Sequence, residues 1–377
     1  MTYTYKCHEA ILKHFRNFQS TPDLARKVLR LSLPFRYECV QDFPIESITL
    51  PGVLNEILSG TGRGQECVSA LSAYFISEAI NLRSLKFVLT PCYFRTVDEH
   101  KIFLAFLQKA KEAGSESTAF DGLKNLRKLS FIIRSTPGRP VWFPLHGNKL
   151  VAEVIQACTS VEELEIDLSI VRSCEEAITA VQQKRSLTAL TLKSQPVDPR
   201  AFSTLNRKAI ELIDAYKILR HLTVDAAFLL EAGNTNNLRL LEKKHGTFLV
   251  SLACILPKGS SCLSLPSLTG FGNLHNFSIT HRRDLRLQDI DASEIRLLAP
   301  LSSTPVSSCL LQDLPELLDL LPRSLRRLAL SGSFTGKMWL VRKQCHSLSN
   351  LSFPALEFAY IDSVSYTHLT LPTILRV

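Results

Sequence analysis

Four acidic residues crowd into six positions as Glu162, Glu163, Glu165 and Asp167, and the last three alternate along the chain. On a strand they would place three carboxylates on one side, which suits a basic partner and, less well, a cation. A straight strand lacks the bent loop that wraps oxygen ligands around calcium. His221 and Asp225 also share one side of a strand. They read as a hydrogen-bonded surface pair, and as an acid and a base only if further polar groups converge on a pocket around them. Gly60, Gly62 and Gly64 resemble a phosphate loop in composition alone. The spacing GxxxxGK[ST] is missing, no dinucleotide fingerprint follows a strand, and the run reads as a connection to a helix. Cys7-His8 and Cys345-His346 are adjacent pairs rather than spaced ligands, and Cys254 with Cys262 has no second pair nearby. The stretch Gly332 to Gly336 centres on Phe334, where a nucleophile elbow needs a serine. No residue is therefore assigned to catalysis, to a metal or to a cofactor.

Bulk composition points the same way. The 377 residues are 45% apolar and 21% charged, with a formal net charge of +9. That length allows two ordinary domains or one extended stack with a substantial core. The basic residues are scattered, with local pairs such as Arg282-Arg283 and Arg326-Arg327. Nucleic-acid binding needs such charges concentrated in space, and sequence order does not concentrate them. Ten cysteines spread over a long chain with a polar start do not form a disulfide framework, so a reducing cytoplasmic or nuclear setting is expected. The longest apolar stretches, such as 248–256, are far too short to span a bilayer, and no membrane partner is expected.

What must position any functional residue is a short phrase that recurs eight times. An apolar residue is followed three positions later by a second and two positions after that by a third. It occurs as Val28-Leu31-Leu33, Leu82-Leu85-Phe87, Leu126-Leu129-Phe131, Val161-Leu164-Ile166, Leu187-Leu190-Leu192, Leu219-Leu222-Val224, Leu274-Phe277-Ile279 and Leu325-Leu328-Leu330. The last two positions point to the same side of a strand, so each unit is a poor domain alone and a good one in a stack. Helical periodicity lies between the phrases, at 66–80, 98–113, 150–157, 174–182 and 203–216. Residues 8–18 carry Ala10, Ile11, Phe15 and Phe18 at helical spacing, and Thr21-Pro22 reads as a cap followed by a first turn. Helix, loop and strand in that order imply right-handed crossovers between parallel strands.

The steps between middle anchors are uneven: 54, 44, 35, 26, 32, 55 and 51 residues from Leu31 to Leu328. A regular leucine-rich repeat steps by about 20 to 29. The expected fold is an α/β, irregular leucine-rich-repeat-like solenoid with parallel strands on the concave face and helices on the convex face. An α/β domain without a superhelix is the alternative. Undetected strands such as 47–50 would shorten the long steps. The expected organisation is a helical cap at 1–30, the repeat region at 31–232 and an irregular insertion at 233–272 around a short buried segment near 248–256. Degenerate repeats follow at 273–360, with a helix at 310–321 interrupted near Pro315 and a weak phrase Leu348-Leu351-Phe353. The end, VSYTHLTLPTILRV, resembles translated cloning adaptor, so 361–377 is expected to be a non-native tail.

The segment HFRNFQSTPDLARKVLRLSLPF, His14 to Phe35, resembles the start of the repeat region in fungal F-box and leucine-rich-repeat proteins. Pro22, Asp23, Leu24, Ala25, Val28, Leu31 and Leu33 match the family's lead into its first strand, and NLRSLKFVL, NLRKLSFII, SVEELEIDL, SLTALTLKS, ILRHLTVDA and SLRRLALSG suit the same pattern. In that family a preceding F-box docks the protein onto a Skp1-type adaptor of a cullin ubiquitin ligase. No F-box helices can be placed before Thr21, so the resemblance implies adaptor binding only if a longer gene product supplies them.

Residues alternating with the buried anchors are expected to look outward and choose a protein ligand. They are Lys86, Ser130, Glu165, Asp167, Thr191, Lys193, Thr223 and Asp225, with Val88, Ile132, Ser278, Thr280, Ala329 and Ser331 beside them. The expected function is a protein-protein interaction scaffold without chemistry, akin to a ubiquitin-ligase substrate receptor. An uncharacterised α/β enzyme and a basic-surface nucleic-acid-binding protein are the alternatives.

Overall fold

All eight apolar phrases become strands, because two apolar anchors spaced two apart satisfy one face of a sheet while the strand backbone bonds to its neighbours. The computed structural model describes residues 2–4, 13, 16–35, 67–89, 101–112, 120–133, 145–168, 175–193, 199–225, 228–229, 235–256, 267–281, 309–310, 320–334, 358–363 and 373–376. Its contacts divide the chain into two units, Met1–Lys217 and Ile218–Val377. The sheet is open, parallel and flanked by helices.

The first unit runs β1 (Thr2–Thr4), α1 (Pro22–Arg26), β2 (Arg30–Phe35), α2 (Cys67–Glu78), β3 (Ser84–Leu89), α3 (Lys101–Glu112), α4 (Asp121–Lys124), β4 (Lys128–Ile133), α5 (Leu145–Ala157), β5 (Glu163–Asp167), α6 (Glu175–Gln183), β6 (Ala189–Lys193) and α7 (Pro199–Ala215). β1 to β6 pair in chain order, all parallel. Register aligns Leu31, Leu85, Leu129, Leu164 and Leu190 in one row and Leu33, Phe87, Phe131, Ile166 and Leu192 in the next. All ten are buried. Phe87 stacks on Phe131 at 5.3 Å and meets Phe103 of α3 edge-on at 5.9 Å, which puts the helices on the anchored face.

Helix positions follow the sequence periodicity closely. Phe103, Phe106, Leu107 and Ala110 of α3 are buried as their spacing predicts, while Lys109 and Lys111 sit in its last turn, where cations oppose the helix dipole favourably. Pro22 opens α1, but Thr21 makes no side-chain cap; its carbonyl accepts the Leu24 amide at 2.9 Å instead. In the span read as a helical cap, residues 16–20 are helical and Phe18 is buried against Phe75, yet β1 also pairs there with β2. Ala10, Ile11 and Phe15 lie outside the described residues.

The second unit contains β7 (His221–Asp225), α8 (Thr235–His245), β8 (Ser251–Leu256), β9 (Asn276–His281), β10 (Cys309–Leu310), β11 (Arg327–Phe334), β12 (Phe358–Ser363) and β13 (Thr373–Arg376). β7, β8, β9, β11 and β12 are parallel neighbours in that order, β10 pairs with β11, and β13 closes on β12 antiparallel. The span 233–272, expected to be an irregular insertion, holds a full helix and strand. Leu249, Leu252 and Cys254 repeat the apolar phrase with a thiol in the last place, and all three are buried. The 55-residue step from Leu222 to Phe277 thereby divides at Leu252 into 30 and 25. Residues 47–50, 282–308, 311–319, the glycine run and the phrase at Leu348 lie outside the described residues. So does most of the tail, of which 373–376 form β13. Of the helix expected at 310–321, Leu310 instead belongs to β10 and pairs with Phe334, and 320–321 form a turn and a bend.

One backbone contact recurs between neighbours. The carbonyl of Leu29 accepts both the Arg83 and the Ser84 amides, at 2.9 and 3.0 Å. Arg83 does the same for Arg127 and Lys128, Arg127 for Glu162 and Glu163, and Glu162 for Thr188 and Ala189. In the second unit Arg220, Val250 and His275 repeat the pattern toward Val250-Ser251, His275-Asn276 and Arg326-Arg327. Both lone pairs of each carbonyl are used, so each strand entry is pinned to the one before it.

Removing an anchor opens a cavity in this array. Leu129→Ala is expected to cost about 2 to 5 kcal/mol in urea unfolding followed by circular dichroism. Gly122 is a second sensitive point, because a Cβ there would lie 2.4 Å from the Ile76 carbonyl oxygen and 2.8 Å from that of Ala79. Gly122→Ala should force α4 away from α2 and lower the unfolding free energy by about 1 to 3 kcal/mol in the same measurement.

Candidate interaction face

Strand register gathers six of the eight expected face residues in the first unit. Lys86, Ser130, Glu165 and Thr191 lie opposite one another on β3, β4, β5 and β6, with Ser32 of β2 continuing the row. Asp167 and Lys193 oppose each other two residues further on. Neighbours in such a row are about 4.8 Å apart. Thr223 and Asp225 belong to the second unit, opposite Ala253 and Ile255 of β8.

The centre of the row is a closed charge cluster. Ser130 Oγ donates to Glu165 Oε2 at 2.8 Å, and Lys193 Nζ pairs with Glu165 Oε1. Burial pushes the Glu165 carboxyl toward its neutral form, but the Lys193 charge, hydrogen bonds from Lys193 and Ser130, and the Lys128 charge outweigh it. The carboxyl is held below the usual glutamate range. A carboxylate stabilised in this way is a weak base, so the trio does not activate the serine hydroxyl.

Two residues expected to look outward are enclosed: Ser130 is 3% and Asp167 1% exposed. Ser130 spends its hydroxyl on Glu165, and Asp167 ends β5 just before buried Leu168. The carboxylates proposed as a landing point for a basic partner are also matched internally. Arg127 pairs with Glu162, and Lys128 pairs with Glu163 at 3.0 Å. Lys86 is half-buried and, among the described residues, has no ion-pair partner. His221 and Asp225 stand four residues apart on β7. The strand rise separates them by about 13 Å, too far for the direct hydrogen bond their spacing suggested. Cys158 and Cys254 are free, buried thiols. Burial pushes both up to about 12, offset partly by Lys184 at Cys158 and reinforced by Asp225 at Cys254, so neither is a ready nucleophile. Among the described residues no three His, Cys, Asp or Glu side chains converge as a metal site, and no helix is long and apolar enough to cross a membrane.

Sequence reading missed the position just before the first anchor of each phrase. There Asn81, Asn125 and Asn273 donate from their side-chain amides to the carbonyls of Arg26, Ile80 and Thr247, and Ser186 and Ser324 donate to Val161 and Leu274. The recurring Asn or Ser was the available signal. Three repeats break it: Lys27 stands before Val28, and Ile218 and Phe248 occupy the position in the second unit, where they are 41% and 46% exposed.

No protein-family model matches the chain, and no curated protein matches it.

The Glu165 cluster is testable by pH. Its lowered carboxyl contributes stability above the unfolded value of about 4.3, and that contribution is lost as pH falls through the folded one. Glu165→Gln should lower the unfolding free energy by about 1 to 3 kcal/mol at pH 7. The difference from the unsubstituted chain should vanish in strong acid, as read by urea titrations across pH.

Proposed function

We propose that the chain is a protein-recognition scaffold that does no chemistry, built as an irregular leucine-rich-repeat-like solenoid with strands on a concave face and helices on a convex one. The observation that carries this reading is the constant register of the repeats. Anchors, carbonyl contacts and outward rows keep their places while the intervening lengths vary, so the variable side chains form an ordered display rather than a pocket. The resemblance to F-box and leucine-rich-repeat proteins makes the substrate-receptor arm of a ubiquitin ligase the specific form of the proposal, with a Skp1-type adaptor engaged through an F-box in a longer gene product. Free buried thiols suit the cytoplasm or nucleus.

On this reading Lys86 and Thr191 are the contact residues of the first unit, since the acidic cluster between them is spent on internal pairs. Changing Glu165 and Asp167 to lysine would strip Lys193 of its partner and bury a new cation at Asp167, damaging the fold before it altered recognition. Lys86→Glu and Thr191→Arg are the cleaner variants.

The test is affinity purification of the full-length gene product from its native organism. Co-recovery of a Skp1-type adaptor supports the receptor form, and a stable partner without the adaptor supports a plain scaffold. Lys86→Glu with Thr191→Arg should reduce recovery of that partner at least tenfold without shifting the melting temperature, while Arg207→Glu on α7 should leave it intact. Unchanged recovery with the doubly substituted face would sink the reading.

A further inference from the structure

Strand register brings basic residues of the second unit that lie far apart in sequence to the same end of neighbouring strands. Arg220 leads into β7, Arg323 lies in the turn before β11, and Arg327 begins that strand; all three are exposed. Lys243, in the last turn of α8, is exposed beside the approach to β8. Among the described residues none of these four has an ion-pair partner. Ile218 and Phe248, the two apolar residues standing where other repeats place Asn or Ser, lie in the same run of strand entries. The carbonyl contacts hold that run rigidly, from Arg220 through Val250 and His275 to Arg326.

We propose that this strand-entry edge of the second unit binds an extended acidic peptide segment that also carries apolar side chains. Four strands at about 4.8 Å spacing make a line of roughly 14 to 15 Å, the length of four or five extended residues at about 3.3 Å each. Guanidinium groups fork onto carboxylates in pairs, which favours Arg220, Arg323 and Arg327 as carboxylate receivers. Phe248 and Ile218 supply the apolar contacts between charges. A single-stranded nucleic acid fits less well, because base stacking needs aromatic platforms at successive positions and, among the described residues, this edge exposes one phenylalanine and an isoleucine. The edge belongs to the second unit and the Lys86 row to the first, and the proposal does not depend on that row being functional.

The experiment is fluorescence anisotropy with the full chain and three labelled probes: an alternating Glu-Leu decapeptide, its Gln-Leu counterpart, and a twelve-residue oligothymidylate. The acidic peptide should bind at least tenfold more tightly than the other two. Combined Arg220→Glu and Arg327→Glu should weaken it by at least tenfold and Phe248→Ser by about threefold to tenfold, with melting curves confirming that the variants fold. Arg207→Glu with Lys13→Glu, an equal charge change in the other unit, should leave binding unchanged. Three results each overturn the proposal: tighter binding of the oligothymidylate, equal binding of the Gln-Leu peptide, or equal weakening by the control substitutions. If the paired arginine variant unfolds, Arg220→Gln and Arg327→Gln are read singly, and unchanged binding in both also overturns it.

Discussion

Among the described residues, β3 to β6, β8, β9 and β11 each begin on a carbonyl at the entry to a neighbouring strand, and two successive amides of the newcomer take both of its lone pairs. That contact locates the next strand to within a residue. A slip of one position would turn Leu85 and Phe87 outward and Lys86 inward, which costs buried apolar area and strands a charge together. The carbonyl contact and the leucine row therefore enforce the same register by different means. Helix lengths, turn lengths and crossover lengths are then free to differ from one repeat to the next, as they do.

Most of the architecture was legible because burial writes itself at fixed intervals. The three-position phrase identified β2 to β7, β9 and β11, and helical periodicity located α2, α3, α5, α6 and α7 to within a few residues. β8 escaped because its outward positions are also apolar: Ala253 and Ile255 are buried beside Leu252 and Cys254, so the strand shows no alternation. α8 escaped because its sequence, rich in Asn and Lys, reads as a surface loop until Leu238 and Leu241 are seen to be buried. Both belong to a repeat as complete as its neighbours.

The face was legible in position and not in electrostatic state. Alternation placed Glu165 and Lys193 on the same side of the sheet, but their pairing runs diagonally between β5 and β6, and strand-to-strand register is absent from a single sequence. Likewise the four carboxylates looked like a surplus of negative charge along one strand. Arg127 and Lys128, 35 residues earlier, sit opposite them in space and cancel much of it. The same concealment works in the other sense for the arginines of the second unit, which sequence order disperses and register collects.

The pairing of a fixed entry contact with variable connecting lengths has an evolutionary corollary. An insertion between a helix and the following strand leaves the carbonyl, the anchors and the outward rows where they were, so it adds chain at the periphery without disturbing the display. Substitutions in the rows are equally insulated from one another except across adjacent strands. A protein built this way can change its outward side chains strand by strand, each exchange being tested by selection separately, while the inheritance of its core remains intact.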